Sequence, residues 1–354
     1  MAQWNKIQIK RENGEYAEAQ APIIVSASRS TDIPAFYSDW FFHRLKIGYS
    51  AWTNPFNGVR SFVSYEKTRF IVFWSKNPEP LINHLDYLNS IGINCYIQFT
   101  LNDYEKEGLE HGVPKLEKRI ETFKKLIEKI GKGRVIWRFD PLILTDVITI
   151  DDLLEKIENI GNQLYGYTEK LVFSFADIAS YKKVQSNLTK NNIHYSEWTI
   201  EEMMDFSCKL QILNKKWGYQ LATCGEKVDL EKYNIKHNHC IDDELITRFA
   251  YNDKPLMDFL GIEVKTIENT LFGQEQIPKE AIILNENCYA IKKKDNKDKG
   301  QRLYCGCMAS KDVGEYNTCP HLCEYCYANT SKQIAQQNYS NHCANQFSET
   351  ITGK

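Results

Sequence analysis

The chain has 354 residues, 42% hydrophobic and 25% charged, enough to bury a substantial core as one large α/β domain or one domain with a small appendage. Lys plus Arg (44) nearly balances Asp plus Glu (46), which excludes an overall field steering the chain to nucleic acid or a membrane and leaves only a local basic groove open. Met1-Ala-Gln-Trp-Asn-Lys-Ile7 has no apolar run of signal-peptide length and no membrane-spanning stretch follows, so a cytoplasmic protein with reduced thiols is expected.

After an N-terminal extension (1–21), short apolar runs alternate with longer amphipathic segments, the signature of repeated βα units. Strands are predicted at Pro22–Ser28, Tyr49–Thr53, Phe70–Ser75, Cys95–Leu101, Arg134–Phe139, Leu171–Ala176, Tyr219–Cys224 and His237–Ile241. Helices are predicted between them at Ala35–Ile47, Pro80–Ser90, Pro114–Ile130, Ile150–Leu164 and Ile200–Trp217. Leu116, Ile120, Phe123, Ile127 and Ile130 recur at helical spacing, as a helix packed on a sheet requires. Eight strands in this alternation imply an α/β fold, a (β/α)8 TIM-type barrel over 22–250. Beyond it lie an insertion or linker (251–300) with the charged run Lys292–Lys299, and a cysteine-rich module (301–330) expected to fold back over the barrel mouth. The tail (331–354), rich in Gln, Asn and Ser, is expected to be flexible.

In such a barrel, chemistry gathers at the carboxyl ends of the strands. The candidate catalytic residues there are Arg29 and Asp32 in Ser28-Arg-Ser-Thr-Asp-Ile-Pro34, Lys76 in Trp74-Ser-Lys-Asn-Pro78, and Arg138 and Asp140 in Trp137-Arg-Phe-Asp-Pro141. Asn54-Pro-Phe-Asn57, Gln98, Thr100, Ser174 and Asp177 stand at equivalent places. Asp32, Asn54 and Asn77 serve equally well as turn and helix-cap residues. Arg138 sits within a strand, where a guanidinium needs a carboxylate or an anionic ligand to offset its desolvation; Asp140, two residues on, points to the same side.

Five of the eleven cysteines fall between Cys305 and Cys326, and three form the C-x3-C-x2-C triplet Cys319, Cys323 and Cys326. Three thiolates are one short of saturating an ordinary cluster or a structural zinc. Spacing i, i+4, i+7 also suits a buried helical stripe, but such a stripe leaves Cys305-Gly-Cys307 without a purpose, and a metal site fits both. Zinc and iron–sulfur both remain open at this stage. Cys224 and Cys240, expected at neighbouring strand ends, are either core residues or partners of Cys305 and Cys307 in a second four-thiolate site. Cys95, Cys208 and Cys288 look structural, and Cys343 lies in the tail.

The triplet, with Tyr325 before its last cysteine and Tyr327-Ala328 after it, resembles the cluster motif of radical S-adenosylmethionine (SAM) enzymes, though it stands at the far end of the chain rather than near the start of the barrel. The stretches Ser28–Pro34, Asn54–Asn57, Val72–Pro78, Trp137–Pro141 and Cys305–Asn329 together resemble a prokaryotic family known as domain of unknown function 1848. This chain departs from it in having Ser30 before Thr31-Asp-Ile-Pro34, and in a longer stretch before Cys305.

The resemblance implies a [4Fe–4S] cluster on the triplet, with SAM on the remaining iron cleaved to a 5′-deoxyadenosyl radical that abstracts a substrate hydrogen. Tyr325, Tyr327 and Glu226 are the candidate cofactor contacts, the last in Thr223-Cys-Gly-Glu226. A small-molecule or nucleotide-like substrate and an electron donor would be the partners. The alternative is a non-catalytic protein stabilised by zinc or a closed cluster. It would bind nucleic acid through Arg29, Lys76, Arg138 and the 292–299 lysines, with Trp52, Trp74 and Tyr327 stacking on bases.

Overall fold

A computed structural model describes residues 4–54, 57–267, 269–270, 273–274, 276–302 and 304–354. Its centre is a parallel sheet whose strands are β1 (Ile24–Ala27), β2 (Phe70–Ser75), β3 (Asn94–Thr100), β4 (Val135–Leu142), β5 (Lys170–Phe175), β6 (Gln220–Thr223), β7 (Ile235–His237) and β8 (Lys311–Asp312). Their spatial order is β7-β6-β5-β4-β3-β2-β1-β8. The α/β class holds, but the expected closed barrel does not form.

Two features keep the sheet open. The second expected strand, Tyr49–Thr53, leaves it to pair antiparallel with Arg60–Ser64 in a separate sheet with Lys6–Lys10 and Tyr16–Gln20. The edges β7 and β8 are 3 and 2 residues long, and among the described residues no ladder joins them. The segments beside these edges meet instead through the Met308 N–H on the Ile241 carbonyl, at 3.0 Å.

Both sheet faces are covered, so the strands read as apolar runs rather than alternating ones. Ile71, Phe73, Ile97, Phe99, Trp137 and Phe173 pack under the helices Ser38–Ile47, Leu116–Ile130, Ile150–Leu164 and Ile200–Asn214. Phe70, Val72, Tyr96, Ile136 and Val172 point the other way. The face that would line a barrel is filled by Ile246, Leu256, Met257 and Leu260 of the helices Asp243–Ala250 and Lys254–Leu260, with Ile241, Cys307 and Met308. A plug of helical side chains replaces barrel closure.

The helices start where side chains can cap them. Thr149 with Asp152 and Thr199 with Glu202 form capping boxes ahead of Ile150–Leu164 and Ile200–Asn214. The predicted Ala35–Ile47 divides into Ile33–Phe36 and Ser38–Ile47, and Pro80–Ser90 into a 3-10 turn and the helix Leu85–Ser90. Residues 251–300 contain the helix Lys254–Leu260 and an antiparallel sheet of Ile262–Thr266, Cys288–Lys292 and Ile282–Asn285.

The tail corrects a second expectation. Lys332–Ala344 is a helix capped by Ser331, and Tyr339 and His342 pack their rings 5.8 and 4.6 Å from that of Tyr37. Tail residue Glu349 then accepts the Ala51 N–H at 2.8 Å. Its polar composition hid a docking face made of aromatic rings. Pro55 and Phe56 of the Asn54–Asn57 stretch lie outside the described residues. Among those residues no helix is long and apolar enough to cross a membrane.

Candidate functional site

The turn after β1 is held by Asp312, at the end of β8. Its carboxylate accepts from Ser28 Oγ (2.7 Å), Ser30 Oγ (3.0 Å), Ser26 Oγ (3.1 Å) and the backbone N–H groups of Arg29 (2.7 Å) and Gly314 (3.0 Å). A Cβ on Gly314 would stand 2.0 Å from Ser28 Oγ, so only glycine allows this approach. Asp32 caps Ile33–Phe36 through the Ala35 N–H, as a turn reading expects, and does more. It also accepts from Ser75 Oγ and the Lys76 N–H, both at 2.7 Å, and lies 2.8 Å from His321 Nε2.

His321 sits between the first two cysteines of the triplet, with Nδ1 2.9 Å from the Gly112 carbonyl. Gly112 and Leu109, in the loop after β3, pair with the backbones of His321 and Glu324. The cysteine module thus rests on the carboxyl ends of β1, β2 and β3. Cys319, Cys323 and Cys326 lie in irregular chain with Leu322 at φ 55°, which removes the helical-stripe alternative. Burial pushes all three thiols above their ordinary range, and their proximity to one another adds to this for Cys319 and Cys323. The Lys76 ammonium faces Cys323 and Cys326 and opposes the shift.

Lys76 is itself anchored, with Nζ 2.7 Å from Glu110 Oε1 and 2.8 Å from the Tyr325 hydroxyl. That hydroxyl donates to Glu110 and accepts from Asn102 Nδ2 at 3.1 Å. Burial alone would raise the Glu110 carboxyl; the charges of Lys76 and Arg119 outweigh it and hold the group at about 2. Tyr325 is therefore a buried framework residue. Tyr327 donates its hydroxyl to the Arg29 carbonyl at 2.7 Å and keeps a half-exposed ring 5.9 Å from that of Tyr181.

The other four candidate ligands form a row of sulfurs. Cys224, at the end of β6, has its Sγ 3.3 Å from that of Cys240, just past β7. Cys307 Sγ stands 3.5 Å from the N–H of Ile241, the residue after Cys240, and Cys305 lies two residues before it. The Cys224 thiol, with Arg138 close by, holds the Cys240 thiol below its ordinary range; the neighbouring Cys240 and Cys305 thiols, with burial, push Cys307 up.

Arg138 and Asp140 pair as expected, and Asp140 also accepts from Ser174 Oγ. Arg138 reaches further, to Gln98 Oε1 and Cys240 Sγ, each at 3.2 Å. Its guanidinium lies 5.4 Å from the Trp74 ring, and that of Arg29 lies 5.3 Å from the same ring. Glu226 accepts the Phe175 N–H, and burial pushes its carboxyl up to about 7. Lys76 and Arg138 are buried in internal pairs and Lys292 is bound to Asp243 at 2.7 Å. Lys293 pairs with Glu263 at 3.2 Å, so two lysines of the 292–299 run are engaged with carboxylates.

A family model described as "Domain of unknown function (DUF1848)" matches residues 24–328. The chain belongs to this family. No curated protein and no solved structure matches it. The DUF1848 region takes in both the triplet and the sulfur row, along with the strand ends that hold them.

Within the DUF1848 region, the triplet fits a thiophilic metal group by donor chemistry: three thiols, Cys323 buried and Cys319 and Cys326 partly so, with one ammonium group facing two of them. Among the described residues, no three or more His, Cys, Asp and Glu side chains stand ready-made as a metal site. The fit lies in donor type, burial and support rather than in finished coordination. Asp312, Glu110, Asn102 and His321 escaped the sequence reading. His321 alone carried a signal, through its place between two cysteines; Glu110 and Asn102 lie in loops and Asp312 in a two-residue strand, none with a motif.

Proposed function

We propose that this protein is an iron–sulfur enzyme of radical-SAM type, with Cys319, Cys323 and Cys326 holding a [4Fe–4S] cluster and the remaining iron left for SAM. The observation that carries this reading is the separate placement of the two cysteine sets: Cys224 meets Cys240 and Cys307 turns to the Ile241 N–H, whereas the triplet faces Lys76. Cys307 lies against the Ile241 N–H beside Cys240, while Asp32 acts on Cys319, Lys76 on Cys323 and Cys326, and Glu110 on Cys323. When bound, a cluster of this kind supplies reductive cleavage of SAM and hydrogen abstraction from a substrate.

The chain's own residues would do the holding. Asp32 and His321 fix the first half of the loop, and Asn329 Nδ2 donates to the Cys319 carbonyl at 2.8 Å. Lys76 offsets thiolate charge and is kept in place by Glu110 and Tyr325. Burial of the triplet keeps water away, as radical chemistry requires.

Anaerobic purification of the full chain tests the metal. The expected result is iron and labile sulfide in stoichiometric amount, with thiolate-to-iron visible absorption that Cys323→Ala sharply reduces. Zinc alone at the triplet, without labile sulfide, would overturn the reading.

A further inference from the structure

We propose that Cys224, Cys240, Cys305 and Cys307 are the ligands of a second metal centre: a closed, four-thiolate site for zinc or iron, separate from the triplet. This second site is independent of whether the triplet holds a radical-SAM cluster.

The first observation is the row of contacts. Cys224 and Cys240 are 3.3 Å apart at sulfur, Cys307 Sγ stands 3.5 Å from the N–H of Ile241 just after Cys240, and Cys305 lies two residues before Cys307. Gly306 is what brings its two neighbours in. A Cβ at that position would stand 2.2 Å from His239 Cδ2, so any other residue would have to displace the His239 ring or shift the segment.

The second observation concerns what points at the sulfurs. Arg138 NH1 and Asn238 Nδ2 each stand 3.2 Å from Cys240 Sγ, and the Ile241 N–H stands 3.5 Å from Cys307 Sγ. Three N–H donors aimed at sulfur form the outer shell that bound thiolates have and neutral core thiols do not need. The Arg29 NH2 nitrogen is buried without a hydrogen-bond partner, and its guanidinium faces Cys307, Cys240 and Cys305. Four thiolates around a divalent cation leave two negative charges, which Arg29 and Arg138 are placed to offset.

The third observation is topological. Cys224 and Cys240 come from one edge of the open sheet, and Cys305 and Cys307 from the chain that runs on to β8 at the other. A metal joining them clasps the two unpaired edges where hydrogen bonding leaves them apart. The cation class follows from the donors: four soft sulfurs select zinc or iron over calcium or magnesium.

The test uses the full chain with Cys319, Cys323 and Cys326 all changed to Ala, so that a failed triplet reading cannot mimic a failed second centre. After anaerobic purification and zinc loading, this protein should keep one metal per chain. X-ray absorption at the zinc edge should show four sulfur scatterers at about 2.3 Å. Cys240→Ser in that background should abolish stoichiometric binding. Cys305→Ser, at a half-buried position where misfolding is less of a concern, should leave three sulfurs and bind at least tenfold more weakly. A triplet-free chain that is folded by circular dichroism but holds no metal would overturn the proposal. So would retention of four sulfurs in the Cys305→Ser variant.

Discussion

Asp32 Oδ2 stands 2.8 Å from His321 Nε2, and this contact joins the end of β1 to the residue between the first two cysteines of the triplet. The same carboxylate serves Ser75, Lys76 and a helix N-terminus, so a single acid aligns two strand ends with the cysteine loop. Asp32→Asn keeps the shape but turns an amide group toward donors, at a cost of about 1–3 kcal/mol per mismatched partner. His321→Ala should leave the fold in place and weaken metal retention by about 10–100-fold, the usual effect of losing an outer-shell partner. Thermal melts and iron loss to a chelator separate the two outcomes. Equal retention in His321→Ala and the parent would show that the contact does not support the metal.

Arg138 and Asp140 give a cleaner energetic test. Arg138 is buried, whereas the Asp140 side chain is 24% exposed. Asp140→Ala therefore strands a buried guanidinium with only Gln98 and Cys240, at a cost on the order of 3–5 kcal/mol. Replacing both, Arg138→Leu with Asp140→Ala, should cost less than Asp140→Ala alone. Urea denaturation of both single variants and the double variant decides the matter; additive losses would contradict it.

Asp312 accepts five hydrogen bonds from the turn after β1 and from Gly314. Asp312→Asn must present an NH2 group to some of those donors, so a loss of about 2–6 kcal/mol is expected from two mismatched sites. Because β8 pairs with β1, hydrogen exchange should quicken first at Val25 and Ser26. Unchanged exchange there would separate Asp312 from the β1–β8 contact.

Much of this site was legible, and the illegible part has physical causes. Strand ends, the Arg138–Asp140 pair and the closeness of Cys224 and Cys240 follow from period-2 geometry and from the order of βα units. Barrel closure does not: whether Tyr49–Thr53 joins the main sheet depends on Arg60–Ser64 as a competing partner, and periodicity is blind to pairing. Glu110 and Asp312 carry no motif because their roles come from contacts across 215 and 284 positions, to Tyr325 and Ser28.

Glu315 makes stability depend on pH. Burial pushes its carboxyl from 4.5 up to about 7, against a backbone hydrogen bond from Thr53, and its Oε1 has no partner. The folded chain thus holds a proton that the unfolded chain has released. The stability this contributes is present below about pH 4.5 and is lost as pH rises toward 7. Glu315→Gln cannot ionise, so it should match the parent near pH 4 and exceed it at pH 8 by on the order of 2–4 kcal/mol. Urea midpoints at the two pH values check this, and parallel profiles would rule it out.

The most direct test of the central claim is the electron paramagnetic resonance spectrum of the reduced, anaerobic protein with and without SAM. A cluster on Cys319, Cys323 and Cys326 alone leaves one iron open, and a ligand arriving there alters its electronic surroundings. The account predicts a changed spectrum at saturating SAM in the parent. It also predicts the same change after Cys305→Ser, because that thiol belongs to the other group. A parent spectrum indifferent to SAM, with a response appearing only once Cys305 or Cys307 is replaced, would show the triplet closed by a fourth thiolate and contradict the account.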